Sequence, residues 1–305
     1  MLDITIGIMS YNRPHFLTDA ITSVLAQTVK PKKIIIFDNG SDEGLVRYME
    51  KYLIEGIEWV GSSKSESFIW NFERAFALCT TKYLMLLHDD DRLLKNFLEK
   101  QMELLAVNDD VVALSCNGYF INGNNVRFGP TLSPFNVGSG LKYFKTPGQV
   151  GIKYASNSCI PFSPTIYKAN ALSYSGISCE YGKVADAVFF CKLAKNGVIA
   201  VNEQPLYEAR FHSGQDSQLI PFVQLQLLED FFWDVDCKDR EECQTLRRKL
   251  IRQHSTRNIR LIADRIKVLD FKSIPALLVD KRFNFISALI SIIKYCFRDR
   301  RLYED

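Results

Sequence analysis

Along the first hundred residues, short apolar runs alternate with stretches whose apolar residues recur every three or four positions. The run ITIGIM at 4–9 is rich in β-branched residues and predicts a strand. Pro14 suits the first turn of a helix, and Leu17, Ile21, Val24 and Leu25 follow at helical spacing. KIIIFD at 33–38 predicts a second buried strand, closed by the turn cluster DNGSD, with a helix over 42–53 after it. IEWV at 57–60 predicts a third strand, 67–79 a helix and YLMLL at 83–87 a fourth strand. Leu94, Leu98, Met102 and Leu105 mark a further helix. Continuously apolar strands alternating with helices predict an α/β fold with a mostly parallel sheet covered on both faces.

Beyond this the pattern loosens. Residues 115–180 are dense in Gly, Pro, Ser, Asn and aromatic side chains, and predict irregular structure with short strands that could shape a substrate surface. A helix is expected over 183–196 with Gly197 as its C-cap, then a strand at 198–201, and helices from about 221 onward. The expected organisation is a catalytic domain over 1–220, divided into halves 1–115 and 116–220, and a helical C-terminal extension over 221–305. No internal repeat or low-complexity segment is visible.

Composition changes this picture little, with 47% hydrophobic and 24% charged residues, as in an ordinary globular protein. Eight cysteines without a C-x-x-C pair read as free thiols in a reducing compartment. The N-terminal MLDITIGIMS has no basic n-region, and no apolar run is long enough to span a bilayer, so a cytoplasmic location is expected. Charge is more informative. Residues 1–246 hold 23 Lys and Arg against 29 Asp and Glu, a net of −6, whereas 247–301 hold 15 against 4, a net of +11. The basic charge lies in the C-terminal part, without any nucleic-acid recognition module.

Candidate chemistry gathers where the predicted strands end. SYNR at 10–13, DNGSD at 38–42 and HDDD at 88–91 each follow an apolar strand, and parallel α/β sheets bind ligands beyond the carboxyl ends of their strands. No G-x-G-x-x-G follows the first strand and no P-loop occurs, which argues against a dinucleotide fold and a P-loop nucleotidase. Three adjacent aspartates repel one another unless a cation joins them. A hard divalent ion such as Mg²⁺ or Mn²⁺ would relieve that repulsion and keep positions open for phosphate.

The stretch ITIGIMSYNRPHFLTDAITSVLAQTVKPKKIIIFDNGSDEG, then NFERAF, then YLMLLHDDDRLL, resembles the family 2 glycosyltransferases of GT-A fold over residues 3–105, and more weakly to about 217. The resemblance implies a nucleotide-sugar donor, a divalent metal (Mn²⁺ or Mg²⁺) and inversion at the anomeric carbon. By position it puts Tyr11, Asn12, Arg13 and Asn71 beside the nucleotide and Asp38 on the base. Asp89 would take the ribose or a metal-bound water, and Asp90 and Asp91 the metal, with His88 standing where a first aspartate is common. Asp186, in YGKVADAVFFCKLAKNG, takes the place of the general base; Ala185 replaces a glutamate, and Glu180 is the alternative base. His212, in YEARFHSGQDS, takes the place of a histidine near metal or diphosphate. A Q-x-x-R-W signature is absent, which favours single-sugar transfer to a saccharide or lipid-linked acceptor in surface polysaccharide or glycolipid assembly.

Plainer readings stand beside these. The aspartates could form a solvated turn capping a helix that begins near Leu93. Asp38 could simply start a turn, and His212 could be a packed histidine. Asp186 could be structural, favoured by the helix macrodipole, which would also lower its pKa. An inactive nucleotide-sugar-binding scaffold and a nucleotidyltransferase are the competing functions. In KRFNFISALISIIKYCFRDRR, 281–301, polar residues at 284, 287, 291, 294 and 298 form one narrow stripe. That suits either a helix lying on an anionic membrane surface or a core or dimer helix.

Overall fold

In a computed structural model, the structure describes residues 1–40, 47, 56–62, 64–132, 140–156, 158–173, 176–212, 220–267 and 284, with side chains left aside at 68 and 259–267. The strands are β1 (Leu2–Ser10), β2 (Pro31–Asp38), β3 (Glu58–Val60), β4 (Tyr83–His88), β5 (Arg92–Leu93), β6 (Val111–Ile121), β7 (Arg127–Pro130), β8 (Leu141–Phe144), β9 (Thr165–Lys168) and β10 (Val198–Arg210). The helices are α1 (Pro14–Leu25), α2 (Phe68–Leu78), α3 (Phe97–Ala106), α4 (Pro147–Tyr154), α5 (Ala169–Leu172), α6 (Ala185–Leu193), α7 (Phe222–Trp233) and α8 (Arg240–Lys267). A 3₁₀ turn, Cys179–Val184, leads into α6.

The strands form one mixed sheet in the order β3-β2-β1-β4-β9-β6-β10-β5, with β7 beside β6 and β8 beside β10. Strands β3, β2, β1 and β4 are parallel, as their apolar runs predict. Period-two alternation sorts their side chains between two cores. Ile36, Met85 and Leu87 join Ile4, Ile6 and Ile8 against Leu17, Ile21 and Val24 of α1 and Phe97, Leu98 and Leu105 of α3. Ile35, Phe37, Leu84 and Leu86 face the other way, against α2, α4 and α6. Each fully buried Leu or Ile of these layers contributes about 1.5–3 kcal/mol. Phe232 of α7 and Leu246 and Leu250 of α8 are buried in this second core, so the described part of the C-terminal helices packs on the sheet domain itself.

Several expectations need correction. Residues 115–121, read as irregular, belong to the buried central strand β6. Its loop-like residues have interior tasks. The Asn117 side-chain oxygen accepts from the amides of Gly118 (2.9 Å) and Leu132 (3.1 Å) and fixes the turn toward β7. A Cβ at Gly118 would lie 2.4 Å from the Tyr207 ring. Short β9 inserts antiparallel between β4 and β6. Gly197 is not the C-cap of α6; Ala194 caps it with ordinary right-handed torsions. Gly197 is needed because a Cβ there would meet Val112 at 2.3 Å.

The helix expected from Leu94 starts at Phe97, after a two-residue strand, so the aspartates of HDDD do not cap it; its cap position is Asn96. The helix over 42–53, apart from Arg47, and the tail 281–301, apart from Asn284, lie outside the described residues. The seven described cysteines form no disulfide. Among the described residues no helix is long and apolar enough to cross a membrane.

Candidate active site

Strand register builds the site. In the parallel ladder Ser10 faces Asp38 across β1 and β2, and Met9 faces His88 across β1 and β4. All three polar clusters therefore leave the sheet level with one another. The ladder runs one residue further on each side, through Asn39 N to Ser10 O (2.9 Å) and Asp89 N to Met9 O (3.1 Å).

At the centre, Tyr11 N donates to Asp89 Oδ2 at 3.0 Å. Asn12 then takes a positive φ of 50°, which turns the chain toward α1 and brings the Arg13 side chain back over the aspartates. Arg13 Nη1 lies 2.5 Å from Asp90 Oδ2 and 3.5 Å from Asp89 Oδ1. His212 Nε2 lies 3.1 Å from the same Asp90 oxygen. One carboxylate thus gathers a group that follows β1 and a group 199 residues later that follows β10. Asp91 is held differently: Ser163 Oγ donates to its Oδ2 at 2.8 Å and the Arg210 amide to its Oδ1 at 3.2 Å.

The three aspartates are buried, and their chemistry diverges. Burial pushes Asp89 up to about 7, against the pull of Arg13. Burial, and then the charge of Asp90, pushes Asp91 well above the carboxylate range. Burial acts on Asp90 too, but His88, Arg13 and His212 outweigh it and hold Asp90 below that range.

One donor atom from each of His88, Asp90 and Asp91 lies within 4.8 Å of the others. Two carboxylates and an imidazole form an oxygen-rich donor set that fits Mn²⁺ or Mg²⁺, the imidazole suiting Mn²⁺ better. Arg13, the existing counter-charge, is partly exposed and sits on a flexible stem, so it can give way or turn to an anionic ligand.

Beside this centre, Asp38 is buried at the end of β2. Asn71 and Arg74 of α2 support that end. Asn71 Nδ2 donates to the Phe37 carbonyl at 3.2 Å and its Oδ1 accepts from Arg74 at 3.0 Å. Arg74 also bonds the carbonyls of Asp38, Val60 and Gly61 and lies over the Trp70 ring at 4.1 Å. Gly40, at φ +82°, allows the close passage of Lys64, whose carbonyl carbon is 2.4 Å from where a Cβ would be.

Asp186 stands apart, in the first turn of α6. It accepts a hydrogen bond from the Tyr154 hydroxyl at 3.4 Å. The macrodipole was expected to lower its pKa; burial instead raises it to about 6, with its backbone and Tyr154 bonds acting the other way. Glu180 is exposed on the 3₁₀ turn.

The polar clusters at the strand ends, together with the family resemblance, singled out Tyr11, Asn12, Arg13, Asp38, Asn71, Asp89, Asp90, Asp91 and His212, and these residues lie at or beside one edge of the sheet. They did not single out Arg74, Tyr154, Ser163 or Arg210, which work on the site from behind. A lone arginine or serine in an apolar stretch carries no spacing signal.

Comparisons with known proteins bear on the family and the fold. The profile of glycosyl transferase family 2 matches residues 5–167. An uncharacterized glycosyltransferase of Haemophilus influenzae is 20% identical over 226 residues, covering 71% of this chain and 68% of that protein. Among solved structures, S. aureus TarS 1–349 in complex with UDP has a TM-score of 0.63 at 14% identity, over 91% of this chain and 90% of that one. The 1–349 form in complex with UDP-GlcNAc has a TM-score of 0.60 at 16% identity, over 83% and 72%. A further TarS structure, with a TM-score of 0.61 at 16% identity over 84% of this chain, is a longer chain of which this one spans 44%.

Proposed function

The chain belongs to glycosyl transferase family 2, and from that membership we propose that it is a metal-dependent, inverting, non-processive glycosyltransferase. It moves one sugar from a nucleoside-diphosphate-sugar to a saccharide or lipid-linked acceptor, in surface polysaccharide or glycolipid assembly. The observation that carries this reading is the level register of Ser10, Asp38 and His88, which lines three polar clusters along one carboxyl edge. In this reading Asp38 accepts from the base, Tyr11, Asn12 and Asn71 line the nucleotide, and Asp89 takes the ribose or a metal-bound water. Arg13 turns from Asp90 to the diphosphate.

Asp90, Asp91 and His88, with His212 adjacent, would hold a divalent cation, whose charge would oppose that of the leaving diphosphate. The acceptor hydroxyl attacks the anomeric carbon from the side opposite the diphosphate. Its proton passes to a carboxylate oxygen of Asp186, and the sugar–phosphate bond breaks with its electrons on the departing nucleoside diphosphate. A carboxyl raised to about 6 is ionised near neutral pH and more basic than an ordinary aspartate, which suits a general base.

Residues 1–115 then serve the donor, 116–220 the acceptor, and 221–305 form the extension, with 281–301 as a peripheral contact to the inner face of the membrane. The TarS complexes make UDP-sugars the first donors to try. The test is release of nucleoside diphosphate, with Mn²⁺ or Mg²⁺ present, from a panel of nucleotide sugars and a lysate acceptor pool. Metal- and acceptor-dependent release supports the reading. Nucleotide-sugar binding without release would replace it with a scaffold role, and pyrophosphate release with a nucleotidyltransferase.

A further inference from the structure

The buried carboxylates at this edge have one buried cation behind them. Arg210, at the end of β10, is 1% exposed, and its guanidinium lies behind the aspartates. Its Nε donates to the Asp90 carbonyl at 3.0 Å, and its own amide donates to Asp91 Oδ1 at 3.2 Å. Nη1 bonds Asn125 Oδ1 (2.6 Å) and the Asn122 carbonyl (3.3 Å), both in the turn between β6 and β7. Nη2 pairs with Asp19 of α1 at 2.9 Å. The Phe16 ring lies 4.5 Å from its central carbon, and the same ring is 5.0 Å from the ring of His212.

We propose that Arg210 is the positioning residue of this site: one buried guanidinium, together with its own amide, sets Asp90, Asp91 and His212 in the arrangement from which they would bind a divalent cation. The proposal rests on the metal-dependent reading above. Three separate links support it. The Nε bond fixes the backbone at Asp90, and the amide fixes the carboxylate of Asp91. Phe16, held against the guanidinium, is the ring that His212 packs on. The anchors lie in α1 and the β6–β7 turn, so the loop carrying the aspartates is braced by two elements outside it.

The fork geometry matters. A guanidinium presents donors in one plane toward three directions, which is how it reaches Asp90, Asn125 and Asp19 at once. A lysine ammonium keeps the charge but cannot span them. Groups that orient metal ligands from behind typically change metal affinity by about 10–100-fold when lost.

The test is Mn²⁺ binding by the full chain, read from the EPR signal of free Mn²⁺, with circular dichroism to confirm folding. Arg210→Lys is expected to bind Mn²⁺ about 10–100-fold more weakly than wild type. Arg127→Gln is the control. Arg127 pairs with Glu208 on the same part of the sheet and touches no aspartate of the cluster. It is expected to lower the melting temperature without changing Mn²⁺ affinity. Wild-type affinity in folded Arg210→Lys would overturn the proposal while leaving the metal reading intact. No Mn²⁺ binding by wild type would overturn both. Should Arg210→Lys not fold, Asp19→Asn, on the partly exposed partner, carries the test. A loss of about three- to tenfold supports the proposal, and unchanged affinity overturns it.

Discussion

Replacing Asp186 with asparagine should make the protein more stable and less active at once. Asp186 is buried enough for its pKa to rise from an ordinary 3.8 to about 6. Between those values the folded protein binds the proton more tightly than the unfolded chain does. The stability from this group is therefore fully present below the unfolded value and is lost as pH rises through the folded one. At neutral pH the ionised carboxyl is a net cost. At about 1.4 kcal/mol per tenfold change in proton affinity, the ceiling is ~3 kcal/mol. As a whole residue Asp186 is half-buried rather than fully enclosed, and solvent screening brings the expected gain of Asp186→Asn to about 1–2 kcal/mol.

For a chain of this size that corresponds to roughly 2–4 °C in melting temperature. Differential scanning fluorimetry at about pH 7.5 should show the gain, and at about pH 4 the two proteins should melt together. In the same preparation, loss of a general base should lower kcat by about 10²–10⁴-fold. A variant that melts below wild type at the higher pH, or a gain that persists unchanged at the lower pH, refutes the burial reasoning. Undiminished kcat refutes the catalytic role.

Other substitutions separate site from scaffold. Asp90→Ala removes the group that gathers Arg13 and His212, and should abolish transfer and metal-dependent nucleotide binding while circular dichroism stays that of wild type. Gly118→Ala puts a methyl group 2.4 Å from the Tyr207 ring and 2.6 Å from its carbonyl, and should cost about 1–3 kcal/mol in urea unfolding. Leu246→Ala, in the core between α8 and α4, should cost about 2–5 kcal/mol; a loss well under 1 kcal/mol would mean that α8 is not integral to the domain.

The legible part of the fold is the part buried on both faces. β1, β2 and β4 read directly because a covered parallel strand leaves no room for polar residues until it ends. The first polar residues after each strand therefore mark the sheet edge and, with it, the site. The half beyond Leu114 was harder for the opposite reason. β9 is four residues long and takes its place from neighbours on both sides rather than from its own pattern. Asn117 and Gly118 resemble loop residues because their reasons, an amide clamp and the approach of Tyr207, lie elsewhere in the chain. Arg210 was invisible for the same cause: its partners come from Asp19, Asp90, Asn122 and Asn125, and no local spacing encodes that meeting.

The pairing of β6 with β10 also has a consequence for biosynthesis. Val111 pairs with Val198 and Ile121 with Arg210, so the central strand of the second half waits for a partner made nearly ninety residues later. During translation β1, β2 and β4 can assemble early, while β6 leaves the ribosome with an unsatisfied edge. That edge is long, apolar and able to pair with another nascent chain. Until β10 arrives, and α7 and α8 cover the second core, the nascent chain exposes apolar surface of the kind that chaperones bind. Such high contact order makes closing the sheet, rather than forming its helices, the slow step of folding.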